Sequence, residues 1–161
     1  AEVLPYRSNI PKIAEFVFKN VSKDYVQNTE IYRDKQGHAI IAGRNYGQGS
    51  SREHAALAPA YLGLKVVIAE SFARIHFQNL INFGVLPLVL DSPADREKFN
   101  ESSVIQLNNI LHNIEKSDEM MLTLTNKSGR KHTIILKLSL SARQRDIVLS
   151  GGIIPWAKSK G

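Results

Sequence analysis

The sequence contains no cysteine. Disulfides, thiolate zinc sites, cysteine nucleophiles and any iron–sulfur cluster ligated by this chain are therefore excluded. The sequence also lacks an apolar run near the ~20 residues that span a bilayer, and no basic stretch followed by an apolar core stands at its N-terminus. We therefore expect no membrane association and a cytoplasmic location, with the mitochondrion as the alternative.

The composition of the 161 residues is that of one globular domain, because 43% hydrophobic and 22% charged residues can bury a sizeable core. Lysine and arginine number 21 against 15 acidic residues, and the net charge of +6 favours anionic partners such as carboxylates, phosphates or nucleic acid. The chain begins at Ala1 rather than at methionine. From this start we expect a processed product or a piece excised from a longer polypeptide.

Strands and helices alternate in the first part of the sequence. Pro59 is expected to kink the helix that contains it, and Pro87 to restrict its strand to a strand end or an edge. The alternation predicts right-handed crossovers and a largely parallel sheet. The predicted elements are a short helix at 12–18, a strand at 38–42, a glycine loop at 43–50, a helix from Ser51 to before Gly63, a strand at 65–69, a helix at 72–83 capped by Ser71, and a strand at 86–90.

The pattern changes after residue 91. A polar turn region at 91–103 leads to two β-prone runs, 121–125 and 133–138, which flank the turn Asn126-Lys127-Ser128-Gly129 and predict a hairpin. A short amphipathic helix is expected at 141–151. The predicted fold is therefore α/β, a single domain whose mixed, largely parallel sheet is flanked by helices and followed by a C-terminal β-hairpin. Its expected parts are an entry segment 1–36, a βαβαβ core 38–90 with the site loop 43–52, and a hairpin with a C-terminal extension 91–161.

The loop at 43–52 combines several features of an anion site. Gly47 and Gly49 permit positive φ and close backbone approach, and the helix that follows offers free N–H groups and the positive end of its dipole. Ser50 stands three residues before Glu53, which is the spacing of a capping box. Ser51 and Arg52 add a hydroxyl and a fork of donors suited to a carboxylate or phosphate.

Other glycine-loop chemistries fit this sequence badly. A phosphate-binding P-loop needs lysine after its last glycine, and a dinucleotide fingerprint needs a third glycine where Arg52 stands. Neither serine has the flanking glycines of a hydrolase elbow. The histidines at 38, 54, 76, 112 and 132 show no metal-binding spacing, so we interpret them as structural or exposed and predict no metal site.

A longer pattern surrounds this loop. It consists of Gly-Gln-Gly-Ser-Ser-Arg-Glu-His-Ala-Ala-Leu-Ala-Pro from Gly47, then Ser-Phe-Ala-Arg-Ile-His from Ser71 and Asn-Phe-Gly-Val-Leu-Pro-Leu from Asn82. Together these segments closely resemble the C-terminal swivel domain of the aconitase family. Leu-Pro-Tyr-Arg-Ser-Asn-Ile, from Leu4, resembles the family moderately, and the region after residue 91 only weakly.

The resemblance implies the interconversion of citrate and isocitrate through cis-aconitate, with a [4Fe–4S] cluster as Lewis acid. It assigns to Ser50 the role of base on the carbon-bound proton, and to Arg7, Ser51 and Arg52 the binding of tricarboxylate groups. A hydroxyl is a poor base unless its alkoxide is stabilised, and a helix N-terminus with Arg52 nearby provides such stabilisation. The cluster would be bound by other domains or by a partner subunit, since the chain has no cysteine. We therefore expect no hydratase activity from this polypeptide alone.

Two further hypotheses remain open. The first is a free-standing small subunit of an isopropylmalate or homoaconitate dehydratase. In that family the loop pattern is similar to Gly-Cys-Gly-Ser-Ser-Arg-Glu-His-Ala-Pro, and the sequence opens with an acidic Asp-Thr-Asp motif. Gln48 and the run Ala55-Ala56-Leu57 favour aconitase, and the acidic opening is absent. The second is an RNA-binding module, which the basic charge permits but which the sequence disfavours because no aromatic pattern suits base stacking.

Overall fold

The fold is organised around a mixed β-sheet, seen in a computed structural model that describes residues 4–6, 8–33, 37–49, 52–101 and 103–161. The strands are β1 (His38–Ala42), β2 (Leu64–Ala69), β3 (Leu86–Leu90), β4 (Val104–Leu107), β5 (Glu119–Thr125) and β6 (Lys131–Lys137). The helices are α1 (Ile10–Ala14), α2 (Tyr25–Arg33), α3 (His54–Tyr61), α4 (Arg74–Asn82), α5 (Ile110–Lys116), α6 (Ala142–Leu149) and α7 (Ile153–Lys158). Short 3₁₀ helices lie at Leu4–Tyr6 and Pro93–Lys98.

The described strands form one sheet in the order β1-β2-β3-β6-β5-β4. The first three are parallel, with Ile40 of β1 opposite Val67 of β2, and Val67 opposite Pro87 of β3. β2 lies between β1 and β3, and its residues Val67, Ile68 and Ala69 are fully buried, as the continuous apolar run of this strand predicts. The α/β class and the mixed sheet are confirmed.

The prediction that β3 is a strand end or an edge is wrong. β3 lies between β2 and β6, and Pro87 is buried inside it. A central proline is tolerated because β6 pairs with β3 only at Val89 and Leu90. The missing N–H of Pro87 therefore falls where the β3–β6 ladder has not begun, so no ladder hydrogen bond is lost on that side.

The predicted hairpin is confirmed and extends the same sheet. β5 and β6 pair antiparallel from Glu119 opposite Lys137 to Thr125 opposite Lys131. The Asn126 side chain accepts hydrogen bonds from the backbone N–H groups of Ser128 and Arg130, which closes the turn. β4, which the sequence pattern did not predict, pairs antiparallel with the outer side of β5.

Several helix boundaries differ from the predictions. α3 begins at His54 rather than at Ser51, with Glu53 as its N-cap residue in helical conformation and without a side-chain cap hydrogen bond. The helix remains continuous through Pro59 and ends at Tyr61. α1 ends at Ala14, although a helix to residue 18 was expected. The expected helix at 141–151 is observed as α6, and Ser141 and Gln144 form a complete capping box.

Two hydrophobic clusters support the sheet. The larger one joins β2, β3, β5, β6, α5 and α6 through residues such as Leu88, Leu122 and Leu136. The smaller one consists of Ala56, Leu64, Val67, Leu80 and Val85, and the partly buried Tyr46 and Phe72 pack against it. The smaller cluster therefore lies directly behind the glycine loop. None of the helices in the described ranges is long and apolar enough to cross a membrane.

Candidate functional site: the glycine loop before helix α3

The glycine loop lies at the edge of the sheet where β1 and β2 end. Residues 43–49 follow β1 directly, and residues 70–73 lead from β2 into α4. Because the carboxyl ends of parallel strands meet at one edge, these two connections lie side by side, in the position where open α/β sheets bind ligands. Of the predicted site residues, Arg52 lies here. Arg7, Ser50 and Ser51 fall outside the described residues, so their positions remain predictions.

Backbone hydrogen bonds hold the loop to the start of α4. The N–H of Tyr46 donates to the carbonyl of Ser71 (2.9 Å), and the N–H of Ala73 donates to the carbonyl of Tyr46 (2.8 Å). These bonds form an isolated parallel bridge between Tyr46 and Phe72. Ser71, which was predicted as the cap of α4, instead accepts a hydrogen bond at Oγ from the N–H of Asn45 (2.8 Å), while Ala73 occupies the N-cap position. The first part of the loop is therefore fixed.

Gly47 is required by its surroundings. Its φ is +98°, in the region that favours glycine, and a Cβ atom at this position would overlap the imidazole ring of His76. Gly49 differs, because its φ is not positive and an added Cβ would meet nothing within 4 Å among the described residues. The expected need for glycine is thus met at Gly47, whereas Gly49 leaves open space beside its backbone.

The loop ends at the first turn of α3. The N–H of Ala55 donates to the carbonyl of Arg52 (3.1 Å), and the N–H groups of Ala56 and Leu57 donate to the carbonyl of Glu53 (3.0 and 2.9 Å). Arg52 is exposed. It therefore adds a guanidinium to the positive end of the helix dipole, as the anion-site prediction requires.

A cavity of about 440 Å³ lies between α1, the loop and α3. α1 and the turn after it contribute apolar side chains to its lining, and the loop, α3 and α4 contribute both apolar and polar ones. Residues of the lining include Ile13, Phe16, Val17, Gly49, Arg52 and His76. A cavity that combines apolar side chains with a few polar groups is typical of a site for a small organic molecule.

Burial favours the uncharged form of two titratable side chains, Tyr46 in the loop and His76 under Gly47. Burial raises the pKa of Tyr46 to about 12, and burial lowers the pKa of His76 below its usual value. Their rings are in edge-to-face contact, with centroids 5.1 Å apart. The loop therefore rests on a neutral surface, while Arg52 supplies positive charge at the rim of the cavity.

Glu70 connects this edge of the sheet to the segment after β3. Its carboxylate accepts from Nε of Arg44 (3.1 Å) and from Nε of Arg96 (2.8 Å), and only 12% of its side chain is exposed. Arg44 follows β1 and Arg96 lies in the 3₁₀ helix Pro93–Lys98. Sequence reasoning missed this bridge. The available signal was an acidic residue directly after a buried strand.

His76 was also missed as a site residue. The sequence pattern indicated a structural or exposed histidine, and the side chain is indeed buried, with 3% of its surface exposed. Its position beneath Gly47 and on the cavity wall was not predicted, because the two residues belong to different strand-to-helix connections. The partial signal was the occurrence of His76 in the Ser-Phe-Ala-Arg-Ile-His segment that follows β2.

No group of three histidine, aspartate or glutamate side chains in the described ranges is arranged to hold a metal ion. The whole sequence has no cysteine, so the residues of this chain do not fit an iron–sulfur cluster as thiolate ligands. Any such cluster would have to be ligated by another part of the enzyme.

Comparisons with known proteins find relatives of two kinds. A putative mitochondrial aconitate hydratase of Emericella nidulans is 40% identical over 117 residues, which are 71% of this chain and 15% of that protein. The 3-isopropylmalate dehydratase small subunit of Aquifex aeolicus is 34% identical over 145 residues, 88% of this chain and 76% of that protein. This chain therefore spans about 15% of the length of the aconitate hydratase but about three quarters of the small subunit.

A solved structure shows the same architecture. The 3-isopropylmalate dehydratase structure from Methanocaldococcus jannaschii superimposes with a TM-score of 0.61 at 26% identity, over 91% of this chain and 75% of that one. The sequence profile of the family described as the aconitase C-terminal domain matches residues 11–93, which include β1, the loop, α3, β2, α4 and β3. The chain therefore belongs to the aconitase C-terminal domain family.

Proposed function

We propose that this chain is the swivel domain of an aconitate hydratase and contributes a serine base and carboxylate-binding arginines to the interconversion of citrate and isocitrate through cis-aconitate. The observation that carries the proposal is the glycine loop, which is pinned to α4 at Tyr46 and leads into the first turn of α3 beside a cavity. This arrangement supports the anion site expected of the family.

Ser50 is the proposed base. In the dehydration direction the base takes a proton from carbon, and the electron pair of that bond forms the carbon–carbon double bond. The hydroxyl leaves with the electron pair of its carbon–oxygen bond and becomes water by taking a proton from an acid of the cluster-bearing part of the enzyme. The N-terminus of α3 and the guanidinium of Arg52 would stabilise the Ser50 alkoxide, which is otherwise too weakly populated to act. Neutral Tyr46 and His76 beneath the loop support this role, since neither adds negative charge near the alkoxide.

Arg52, Ser51 and Arg7 are the proposed ligands of the substrate carboxylates. Arg52 lines the cavity in the described structure, and a guanidinium can bind a carboxylate through two parallel hydrogen bonds. Arg7 would provide a second such contact from the entry segment that precedes α1. The net charge of +6 supports a tricarboxylate substrate, because a positive field raises the local concentration of an anion.

The proposed partners are cluster-bearing domains of the same polypeptide or a separate large subunit. Such a partner would cover the loop edge and contribute the [4Fe–4S] cluster, which this cysteine-free chain does not ligate. The chain alone should therefore have no hydratase activity. Some relatives are named as mitochondrial proteins, which supports the mitochondrion as the alternative to a cytoplasmic location.

A second candidate is the small subunit of a 3-isopropylmalate or homoaconitate dehydratase. It is favoured by coverage, since this chain spans 76% of the Aquifex aeolicus small subunit. Gln48 and Ala55-Ala56-Leu57 favour aconitase, as argued from the sequence. The mass of the natural polypeptide separates the two: a species near 18.0 kDa indicates a small subunit, and a species several times larger indicates a hydratase domain.

The proposal is tested by Ser50→Ala in the complete enzyme. Loss of the base should lower kcat for citrate-to-isocitrate conversion by about 10²–10⁴-fold, with KM changed less than about threefold, because the carboxylate ligands remain. Ser139→Ala, at an exposed position after β6, is the matched control and should retain normal kinetics. Near-normal turnover in Ser50→Ala would remove Ser50 from this role.

A further inference from the structure

His76 is a buried polar side chain whose hydrogen-bonding groups are unused within the described residues. Only 3% of its surface is exposed, and neither Nδ1 nor Nε2 has a hydrogen-bond partner in that part of the structure. A buried imidazole without partners lowers stability, and an apolar side chain would avoid this loss. The presence of histidine at this position therefore calls for an explanation other than packing.

The contacts of His76 connect it to the site. Its ring lies against Gly47, where no side chain fits, and in edge-to-face contact with Tyr46. Tyr46 is in turn fixed to the start of α4, the helix that carries His76, by the Tyr46–Phe72 bridge. The imidazole thus lies between the loop and α4, so a wider ring at this position would push Gly47 away from the helix.

The same side chain also lines the cavity. His76, Gly49 and Arg52 share this lining, so one ring touches both the fixed part of the loop and the space where a ligand would lie. A displacement of Gly47 would be transmitted along the loop to the first turn of α3 and to Arg52. Site geometry is sensitive to such displacements, because a misplacement of about 1 Å can lower a rate about 10²-fold.

We propose that His76 is a positioning residue of the site, whose imidazole holds the glycine loop, and through it Arg52 and the α3 N-terminus, in the arrangement needed for catalysis. This inference rests on the proposed function of the loop and adds a residue to it. It assigns a role to the two ring nitrogens, which have no hydrogen-bond partner among the described residues.

The test compares two substitutions in the complete enzyme. His76→Phe keeps a ring but removes both nitrogens, and should lower kcat about 10–100-fold with KM changed less than about threefold and with an unchanged or higher Tm. His76→Asn keeps a polar group near the position of Nδ1 but leaves a gap, and should have a lower Tm yet recover at least about one third of the wild-type kcat. We therefore expect His76→Phe to have the higher Tm of the two variants and His76→Asn to have the higher kcat.

Hydrogen exchange provides a readout that does not depend on turnover. In His76→Phe, the N–H of Tyr46, which bonds to Ser71, should exchange at least about tenfold faster, since the wider ring displaces the loop. His112→Phe, at an exposed position of α5, is the control and should change neither exchange nor kinetics.

The outcomes separate this inference from the proposed function. If the wild-type enzyme is active and Ser50→Ala is inactive, normal kcat in His76→Phe overturns the positioning role alone. The positioning role is also overturned if kcat and Tm rank His76→Phe and His76→Asn in the same order, because a residue that acts only through packing gives that result. If the wild-type enzyme does not interconvert citrate and isocitrate, the proposed function fails, and unchanged exchange at Tyr46 in His76→Phe then overturns the positioning role as well.

Discussion

The two halves of the sheet are built by different rules. In the antiparallel half, formed by β4, β5 and β6, side chains alternate regularly, and Met120, Leu122 and Leu124 of β5 are all buried. In the parallel half, formed by β1 to β3 with the glycine loop, α3 and α4, the positive φ values of Asn45 and Gly47 lie in the candidate site, whereas those of Asn109 and Gly129 in the antiparallel half lie at the α5 N-cap and in the hairpin turn. The antiparallel half contributes stability, whereas the parallel half gives up local stability to shape a site.

The burial of polar groups follows the same division. His76 of α4 has no hydrogen-bond partner for its ring within the described residues, and His38 of β1 has one ring nitrogen, Nδ1, in the same condition. In the antiparallel half, by contrast, Arg145 of α6 donates to the carbonyls of Ile114 and Ser117 (both 2.6 Å) and so closes the end of α5. Among the described residues, two of the three side chains with such unpaired groups, His38 and His76, lie in the half that carries the site, and the third, Trp156, lies in α7.

The largest expected contrast is between Leu136→Ala and Gly47→Ala in the complete enzyme. Leu136 is fully buried in β6, so its truncation should lower the free energy of unfolding of this domain by about 2–5 kcal/mol, with normal turnover per folded molecule. Gly47→Ala should cost about 1–2 kcal/mol from left-handed strain and about 1–3 kcal/mol more from overlap with the His76 ring, so its stability loss should be similar. Its turnover should nevertheless fall by about 10²-fold, because the new Cβ overlaps His76 and moves the loop.

Native-state hydrogen exchange of the β5–β6 amides measures the stability change, and steady-state kinetics measure the turnover. Leu124→Ala, at another fully buried position of the hairpin, should reproduce the result for Leu136→Ala. Normal turnover in Gly47→Ala would show that the loop tolerates displacement, and the division of labour between the halves would then be wrong.

The same division explains what could be predicted from the sequence. The strand at His38–Ala42, the glycine loop and the hairpin were predicted because each has a strong local signal. β4 and α5 were missed because the four residues of β4 and the polar stretch around α5 carry little periodicity. The start of α3 was misplaced because Ser50 and Glu53 have capping-box spacing, but Glu53 occupies the N-cap position.

Tertiary placement accounts for the remaining differences. Proline usually occurs in edge strands, so Pro87 indicated an edge position for β3. Its position between two strands is explained only by the short β3–β6 pairing, which is not visible in the sequence. The role of Ser71 in holding Asn45, and the contact of His76 with Gly47, arise between two neighbouring connections of the sheet. Neither contact has a signature in residue spacing, so the sequence predicts the loop but not what supports it.

A smaller effect is expected from acid, and it should appear mainly in the parallel half. Burial lowers the pKa of His38 to about 4, from about 6.5 in the unfolded chain. The hydroxyl oxygen of Tyr25 lies 2.7 Å from Nε2 of His38, within hydrogen-bond distance. The unfolded state then binds more protons, so stability is full above pH 6.5 and falls as the pH drops toward about 4. His38→Gln should weaken this dependence. Exchange of β1 and β2 amides at pH 5 and pH 7.5 measures it, and equal acid sensitivity in β5 and β6 would contradict it.

The smallest expected difference concerns one carboxylate from each half. Glu70→Gln removes the charge that joins Arg44 to Arg96, and because only 12% of the Glu70 side chain is exposed we expect a loss of about 1 kcal/mol. Asp118→Asn removes a carboxylate that is 90% exposed, and Arg145 keeps its carbonyl partners, so the loss should stay below about 0.5 kcal/mol. Exchange of the Glu70 amide, which donates to the carbonyl of Ala42, should accelerate in Glu70→Gln and remain unchanged in Asp118→Asn. Equal effects of the two substitutions would show that the ion pairs of Glu70 contribute no more than a surface ion pair does. The glycine loop would then be held in place by the Tyr46–Phe72 bridge and by the contact between Gly47 and His76.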